Sequence, residues 1–162
     1  MKYISIQDCH KILFQIAIDF DISEDTPHYS VHKKGIIELE GIFQRVQQSW
    51  YRGVLTKAAY LFVGINKGHF FPNGNKRLSL VIAIEFLYRN GFAKQKPIRK
   101  KTYAQWFGKH FPDYTLTHTQ FPAVYEWAFY NLNKAVASDT KSSFDELKEK
   151  VEDFLRLALK HS

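Results

Sequence analysis

Two apolar stretches, residues 54–65 and 78–88, flank a segment that holds a histidine, two carboxamides, a glycine and two cations: His69, Asn73, Gly74, Asn75, Lys76 and Arg77. Both stretches read as helices. The second carries Leu78, Leu80, Val81, Ile82, Ala83, Ile84, Phe86 and Leu87, so apolar groups point in almost every direction around its axis, as expected of a central helix surrounded by others. A chain built on two such helices has to bury them against further helices. The polar break between them reads as a loop with a function, with the remainder of the chain as its scaffold.

The rest of the sequence supplies those helices. Ile6, Cys9, Leu13, Ile16 and Phe20 recur at spacings of three and four, predicting an amphipathic helix over 5–20 with Ser5 as N-cap and Asp8 closing a capping box. Residues 21–35 are polar and irregular, a loop or short hairpin long enough to serve a function. A second helix is expected over 37–50, with Ile42, Val46 and Trp50 inward, and a third over 54–66. Asn90-Gly91 stops the central helix, and a basic connector over 93–101 follows. Helices are expected over 102–111 and 118–135, with Pro112 and Asp113 between them. In the tail, Phe144, Leu147, Val151, Phe154 and Ala158 form an apolar seam, with Ser143 and Glu146 as its capping box. No long strand-like alternation and no internal repeat is visible. The expected architecture is all-α: a bundle of about six or seven helices with a flap hairpin or loop and an added C-terminal amphipathic helix. Residues 1–135 read as the main domain. Residues 136–162 read as a linker and a helix packed on that domain or at an interface, where self-association into a homo-oligomer is one option.

At 162 residues, 45% hydrophobic and 16% aromatic, the chain suits one domain with a real core. The single cysteine, Cys9, excludes an internal disulfide and falls on an apolar face, where a buried thiol is expected. The chain opens without a signal-peptide pattern, and its longest apolar run is shorter than the roughly 20 residues needed to span a bilayer. A soluble, cytoplasmic protein with no membrane partner is expected. The net charge of +7 favours acidic partners, whether nucleic acid, nucleotide or acidic protein, and does not choose among them. The lysine-rich connector lacks a recognition helix or stacking motif, so nucleic acid is not an expected partner. His28 and His32 have no cysteine or acid cluster at zinc-like spacing beside them.

The polar break can do specific chemistry. The first N–H groups of a helix have no internal partners, and the aligned peptide dipoles put partial positive charge there. Gly74 permits a left-handed turn into such a helix, Asn75 adds a side-chain donor, and Lys76 and Arg77 add charge, which together suit phosphate. His69 lies close enough in sequence to serve as a general base. One reading of these residues is a base beside a phosphate cradle. The other is a plain helix end, with histidine capping the last carbonyls and Gly-Asn making the turn. Spacing alone favours the plain one.

The string His69-Phe70-Phe71-Pro72-Asn73-Gly74-Asn75-Lys76-Arg77 resembles the signature of the Fic/Doc family, which runs His, any residue, Phe, any residue, an acid, Gly, Asn, Gly or Lys, Arg. Only the acid position departs, since Asn73 stands there. Lys76, and Leu80 where Fic proteins carry a second arginine, place the chain nearer the Doc (death-on-curing) toxins. The segments 35–38, 57–61 and 87–91 are also similar to their Doc counterparts, and the resemblance spans roughly residues 3–133.

The resemblance implies an all-helical protein that transfers part of a nucleoside triphosphate, such as ATP, to a protein hydroxyl. It implies His69 as the base, Gly74, Asn75 and Lys76 as the anion hole, Arg77 as a phosphate ligand and Phe71 as a core anchor. It also implies a flap over 28–36, including His32, Lys33, Lys34 and Gly35, that docks the target segment. A side chain at Lys76, in place of a second glycine, implies phosphoryl transfer, as in Doc acting on an elongation factor, rather than AMP transfer. The family's acid binds Mg²⁺, which prefers carboxylate oxygen, so Asn73 implies weakened metal binding. The role implied for the whole is a toxin of a toxin–antitoxin module, acting on a translation factor and neutralised by a small antitoxin with an acidic segment. The alternative is a catalytically impaired Fic/Doc-fold binding module. Residues 142–146 also partly resemble the family's inhibitory motif, although a capping role for Glu146 accounts for the same residues.

Overall fold

The first helical run begins where the sequence places it. In the computed structural model, which describes residues 1–20, 25–48, 50–94 and 97–161, Ser5 Oγ accepts the Asp8 N–H and Asp8 Oδ2 accepts the Ser5 N–H, closing the capping box. Helix α1 (Ile6–Asp8) passes through a π turn (Cys9–Leu13) into α2 (Phe14–Phe20) as one continuous rod. The wider π turn corrects the expected face. Burial advances in steps of four through Cys9, Leu13 and Ala17, with Phe14 beside them, while Ile16 and Phe20 are exposed. Burial also pushes the Cys9 thiol well above its ordinary pKa. Burial would likewise raise the Asp8 carboxyl, but hydrogen bonds from Ser5 and Arg89 hold it below the usual range.

Residues 21–24, the first part of the expected loop, lie outside the described residues, as do Ser49, Gln95, Lys96 and Ser162. The described part of the flap contains no hairpin. Residues 25–28 are irregular and lead into a 3-10 turn (Tyr29–Val31) and then α3 (Lys33–Arg45). This corrects the helix expected over 37–50. Its start is hidden because the cap is a histidine: His32 Nδ1 accepts the Gly35 N–H at 3.1 Å. Its end comes early because the buried Lys57 ammonium donates to the carbonyls of Val46 and Gln48, and Trp50 is left exposed.

Helices α4 (Val54–Gly68) and α5 (Asn75–Arg89) form the centre, packed on each other and flanked by α2, α3, α7 (Val124–Ser138) and α8 (Phe144–Ala158). Of the apolar groups around α5, all but Ile84 are buried; Ile84 and Tyr88 face an apolar groove of about 710 Å³ that Phe20 and Tyr125 also line. Gly91, at φ +86°, ends α5 as expected.

Beyond it the structure adds an unexpected strand pair: β1 (Phe92–Lys94) pairs antiparallel with β2 (Leu159–His161). Three residues a side are too short for alternation to show in sequence. Helix α6 (Lys100–His110) starts two residues before the expected position. Helix α7 starts six residues later than expected, because Asn131 Oδ1 accepts the Thr117 N–H and the Tyr114 hydroxyl and so holds that segment outside the helix. The Ser143–Glu146 capping box opens α8, with Glu146 Oε1 accepting the Ser143 N–H.

Leu147, Val151, Phe154, Leu155 and Ala158 of α8 are buried, while Phe144 is half exposed. Helix α8 lies along α4, and the Phe154 ring packs against Tyr103, Trp106, Phe107 and Phe129. Among the described residues there are seven helical rods, and no helix is long and apolar enough to cross a membrane.

Because Phe154 joins α6, α7 and α8, Phe154→Ala should lower stability by about 3–5 kcal/mol. Denaturant unfolding of the whole chain followed by circular dichroism measures it, and a loss under ~1 kcal/mol would show that α8 is not part of the shared core.

Candidate active site

The loop between α4 and α5 is shaped by two left-handed residues and one buried ring. His69 ends α4 at φ 52°, ψ 38°, an uncommon conformation for a residue with a Cβ, and its side chain is exposed. Gly74, at φ 78°, ψ 8°, opens α5. Between them Phe71 turns inward to 4% exposure, its ring edge-on to Tyr29 at 5.0 Å and Phe14 at 6.1 Å. The Asn75 side chain fixes the turn: Oδ1 accepts the Phe71 N–H at 3.0 Å, and Nδ2 donates to the Phe71 carbonyl at 2.7 Å. The Asn75 carboxamide therefore holds the loop, leaving one Nδ2 hydrogen and the backbone N–H for a ligand.

The start of α5 has the character of an anion site. The Leu78 N–H bonds the Gly74 carbonyl, so the N–H groups of Asn75 and Lys76, as at any helix start, have no carbonyl one turn back within the helix, and Gly74 itself supplies no side-chain cap. Arg77 is buried at 5% exposure in the first turn, and Lys76 is half-buried beside it. The structure thus brings Gly74, Asn75, Lys76 and Arg77 together at one helix end, with His69 across the loop.

The expected flap residues divide. Gly35 packs so closely on the Phe71 ring and the Phe70 carbonyl that a Cβ there would lie 2.6 Å from the ring. The His32 ring centre is 5.7 Å from that of Phe71. Lys33 and Lys34 are exposed on the first turn of α3.

Several residues of the site carry no local mark in the sequence. The Asp25 carbonyl accepts from Asn73 Nδ2 at 2.8 Å and from Arg77 Nη2 at 3.1 Å. The Tyr29 hydroxyl donates to the Gly74 carbonyl at 2.7 Å. Behind the cradle, Asn133 Nδ2 donates to the Lys76 carbonyl at 2.9 Å, and Asn66 Nδ2 donates to Asn133 Oδ1 at 2.7 Å, linking α4, α5 and α7. Asn66 and Asn133 are carboxamides within apolar-periodic helices, the one pattern that could have exposed them. A backbone carbonyl such as that of Asp25 leaves no pattern.

The residues present do not fit a protein-held Mg²⁺. Position 73 offers one neutral carboxamide whose nitrogen is turned to Asp25, and among the described residues no three His, Cys, Asp or Glu are grouped to hold a metal ion. Phosphate oxygen is the ligand chemistry that the helix end and Arg77 fit.

The class of protein follows from a helical bundle whose two central helices are joined by a loop with an exposed histidine at its start and a buried arginine in the first turn beyond it. The Fic/DOC family model matches residues 5–87, just over half of the chain, and the protein belongs to that family. Comparisons with curated proteins and with solved structures returned no match. The match covers the chain from α1 to all but the last two residues of α5, including every residue of the loop.

Gly74→Ala should cost about 1–3 kcal/mol, because φ 78° disfavours a side chain and the new Cβ would meet the Tyr29 hydroxyl and Pro27. Thermal unfolding measures it, and an unchanged midpoint would contradict the tight loop described here.

Proposed function

We propose that this protein is a Doc-like transferase that moves the γ-phosphoryl group of a nucleoside triphosphate, such as ATP, to a hydroxyl of a protein substrate. The observation that carries the proposal is the start of α5, where Gly74 supplies no side-chain cap and Arg77 is buried in the first turn, with His69 exposed at the other end of the loop. In this reading His69 accepts the proton of a target Ser, Thr or Tyr. The freed oxygen attacks the γ-phosphorus, the bond to the bridging β-phosphate oxygen breaks, and the nucleoside diphosphate leaves. The N–H groups of residues 75–77 and the Arg77 guanidinium stabilise the charge that develops on the phosphates. Lys76 narrows the cradle and favours presentation of the terminal phosphate over the α-phosphate. Any Mg²⁺ would arrive with the phosphates, whose oxygens supply the ligands that position 73 does not.

The exposed Lys33 and Lys34 beside the loop, and the net charge of +7, support a docking flap for a protein segment and an acidic partner. A translation elongation factor as substrate, and a small antitoxin with an acidic segment as neutralising partner, complete the proposal as a toxin of a toxin–antitoxin module. A second reading rests on Asn73, which acts as a hydrogen-bond donor where the family has an acid: a Fic/Doc-fold binding module without transfer activity.

Incubation with cell lysate and ATP labelled at the α or γ position tests the proposal. Label from the γ position should be retained on a protein, with His69→Ala reducing transfer at least ~100-fold. Retention of α label would overturn phosphoryl in favour of nucleotidyl transfer, and no label from either position would favour the binding module.

A further inference from the structure

Two carboxamides lie where the pattern of their helices asks for apolar groups. Asn66, near the end of α4, and Asn133, in α7, are both buried, and a buried carboxamide is costly unless its atoms are paired. Asn66 is paired at one end only. Its Nδ2 donates to Asn133 Oδ1 at 2.7 Å and to the Asn133 carbonyl at 3.2 Å, while its Oδ1 is buried with no hydrogen-bond partner among the described residues. What each amide faces sets its orientation. Asn66 meets two oxygens of Asn133, and Asn133 meets the Lys76 carbonyl oxygen, so each turns its nitrogen forward. The result is a one-way chain of amides, running from Asn66 through Asn133 to the peptide group between Lys76 and Arg77.

That peptide group belongs to the first turn of α5. Its carbonyl accepts Asn133 Nδ2 at 2.9 Å and the Ser79 hydroxyl at 2.7 Å, and its other end is the Arg77 N–H. Ser79 reaches back three residues within its own helix, as helical serines commonly do, whereas Asn133 reaches across 57 positions from another helix. An amide that accepts at its oxygen donates more strongly at its nitrogen, because hydrogen bonds in a chain polarise one another. We infer that Asn133, supported by Asn66, is a positioning residue for phosphate: the relay fixes the Lys76–Arg77 peptide group and strengthens its N–H as a donor to an anion at the start of α5. The inference rests on that helix start being the phosphate site of the proposed function. In this role both carboxamides act through the backbone of the first turn, and neither contacts the phosphate. The relay aligns its amides with the dipole of α5 and adds to the partial positive charge there. It also gives a reason for the orphaned Asn66 Oδ1, whose unpaired burial costs stability that an apolar residue would not.

The test titrates the isotopically labelled full chain with tripolyphosphate, followed by calorimetry and nuclear magnetic resonance, alongside Asn133→Ala and Asn66→Ala with helicity checked by circular dichroism. In the parent, binding should move the side-chain NH₂ protons of Asn133 downfield, because polarisation along the relay runs both ways. A residue that only fills the core gives no such response. Asn133→Ala should bind about threefold to tenfold more weakly than the parent, as expected for the loss of one hydrogen bond, and its Arg77 amide proton should lie upfield before ligand is added. Asn66→Ala leaves the Asn133 bond to Lys76 in place and should weaken binding by a smaller factor. Asn133 side-chain signals that stay fixed while the parent binds would overturn the relay and leave the phosphate site standing, whether or not the variants fold. Equal affinity in folded Asn133→Ala would do the same. Absence of binding by the parent would overturn both, with no anion site left to position.

Discussion

The site depends on the clamp between Asn75 and Phe71. One carboxamide satisfies both backbone groups of Phe71 across a four-residue gap and fixes a turn that neither helix could impose alone. The Phe71 ring is then driven into the core against Tyr29 and Phe14, so the polar loop is anchored by an apolar residue at its middle. With that anchor in place, His69 and Gly74 hold their left-handed conformations, and α5 begins with its N–H groups turned toward the loop. The uncommon left-handed backbone of His69 is held by the surrounding packing, whereas Gly74 adopts its own without steric cost.

The rest of the fold keeps the two helix ends in register. Helices α4 and α5 pack along their length, and the Asn66–Asn133–Lys76 relay ties the end of one to the start of the other through α7. Buried carboxamides are costly unless paired, so such a relay fixes relative position more sharply than apolar contact does. On the far side α8 covers α4 through a seam set by its own capping box, and Thr56 of α4 donates to Glu152 of α8. The cradle is thereby set on the most buried pair of elements in the molecule.

Features governed by local rules could be read from the sequence. Both capping boxes, the limits of α5, the Gly91 stop and the buried seam of α8 follow from residue type and spacing. The cradle residues were visible as a cluster, although spacing alone could not distinguish a phosphate site from an ordinary helix end. What escaped was non-local or unusual. A histidine N-cap hid the start of α3, and a buried lysine set its end. The π turn moved the inward face of the first helix from Ile16 and Phe20 to Phe14 and Ala17. Strands of three residues are below the length at which alternation has meaning. The contacts of Asp25, Pro27 and Tyr29 with residues 73–77 span roughly fifty residues, their hydrogen bonds end on backbone oxygens, and no local pattern encodes them.

Asn73 changes meaning once its partner is known. Beside a carboxylate consensus it reads as a deficit in metal binding; in the structure its carboxamide donates to the Asp25 carbonyl. The claim on which the account turns is that the first turn of α5 is where phosphate binds. Amide chemical shifts of the isotopically labelled chain, followed by nuclear magnetic resonance during titration with ATP, test it most directly. The account predicts the largest shifts at residues 74–77, with smaller ones at 25–29. Shifts clustered instead on the basic surface at Lys94, Arg99, Lys100 and Lys101, with residues 74–77 unmoved, would contradict it.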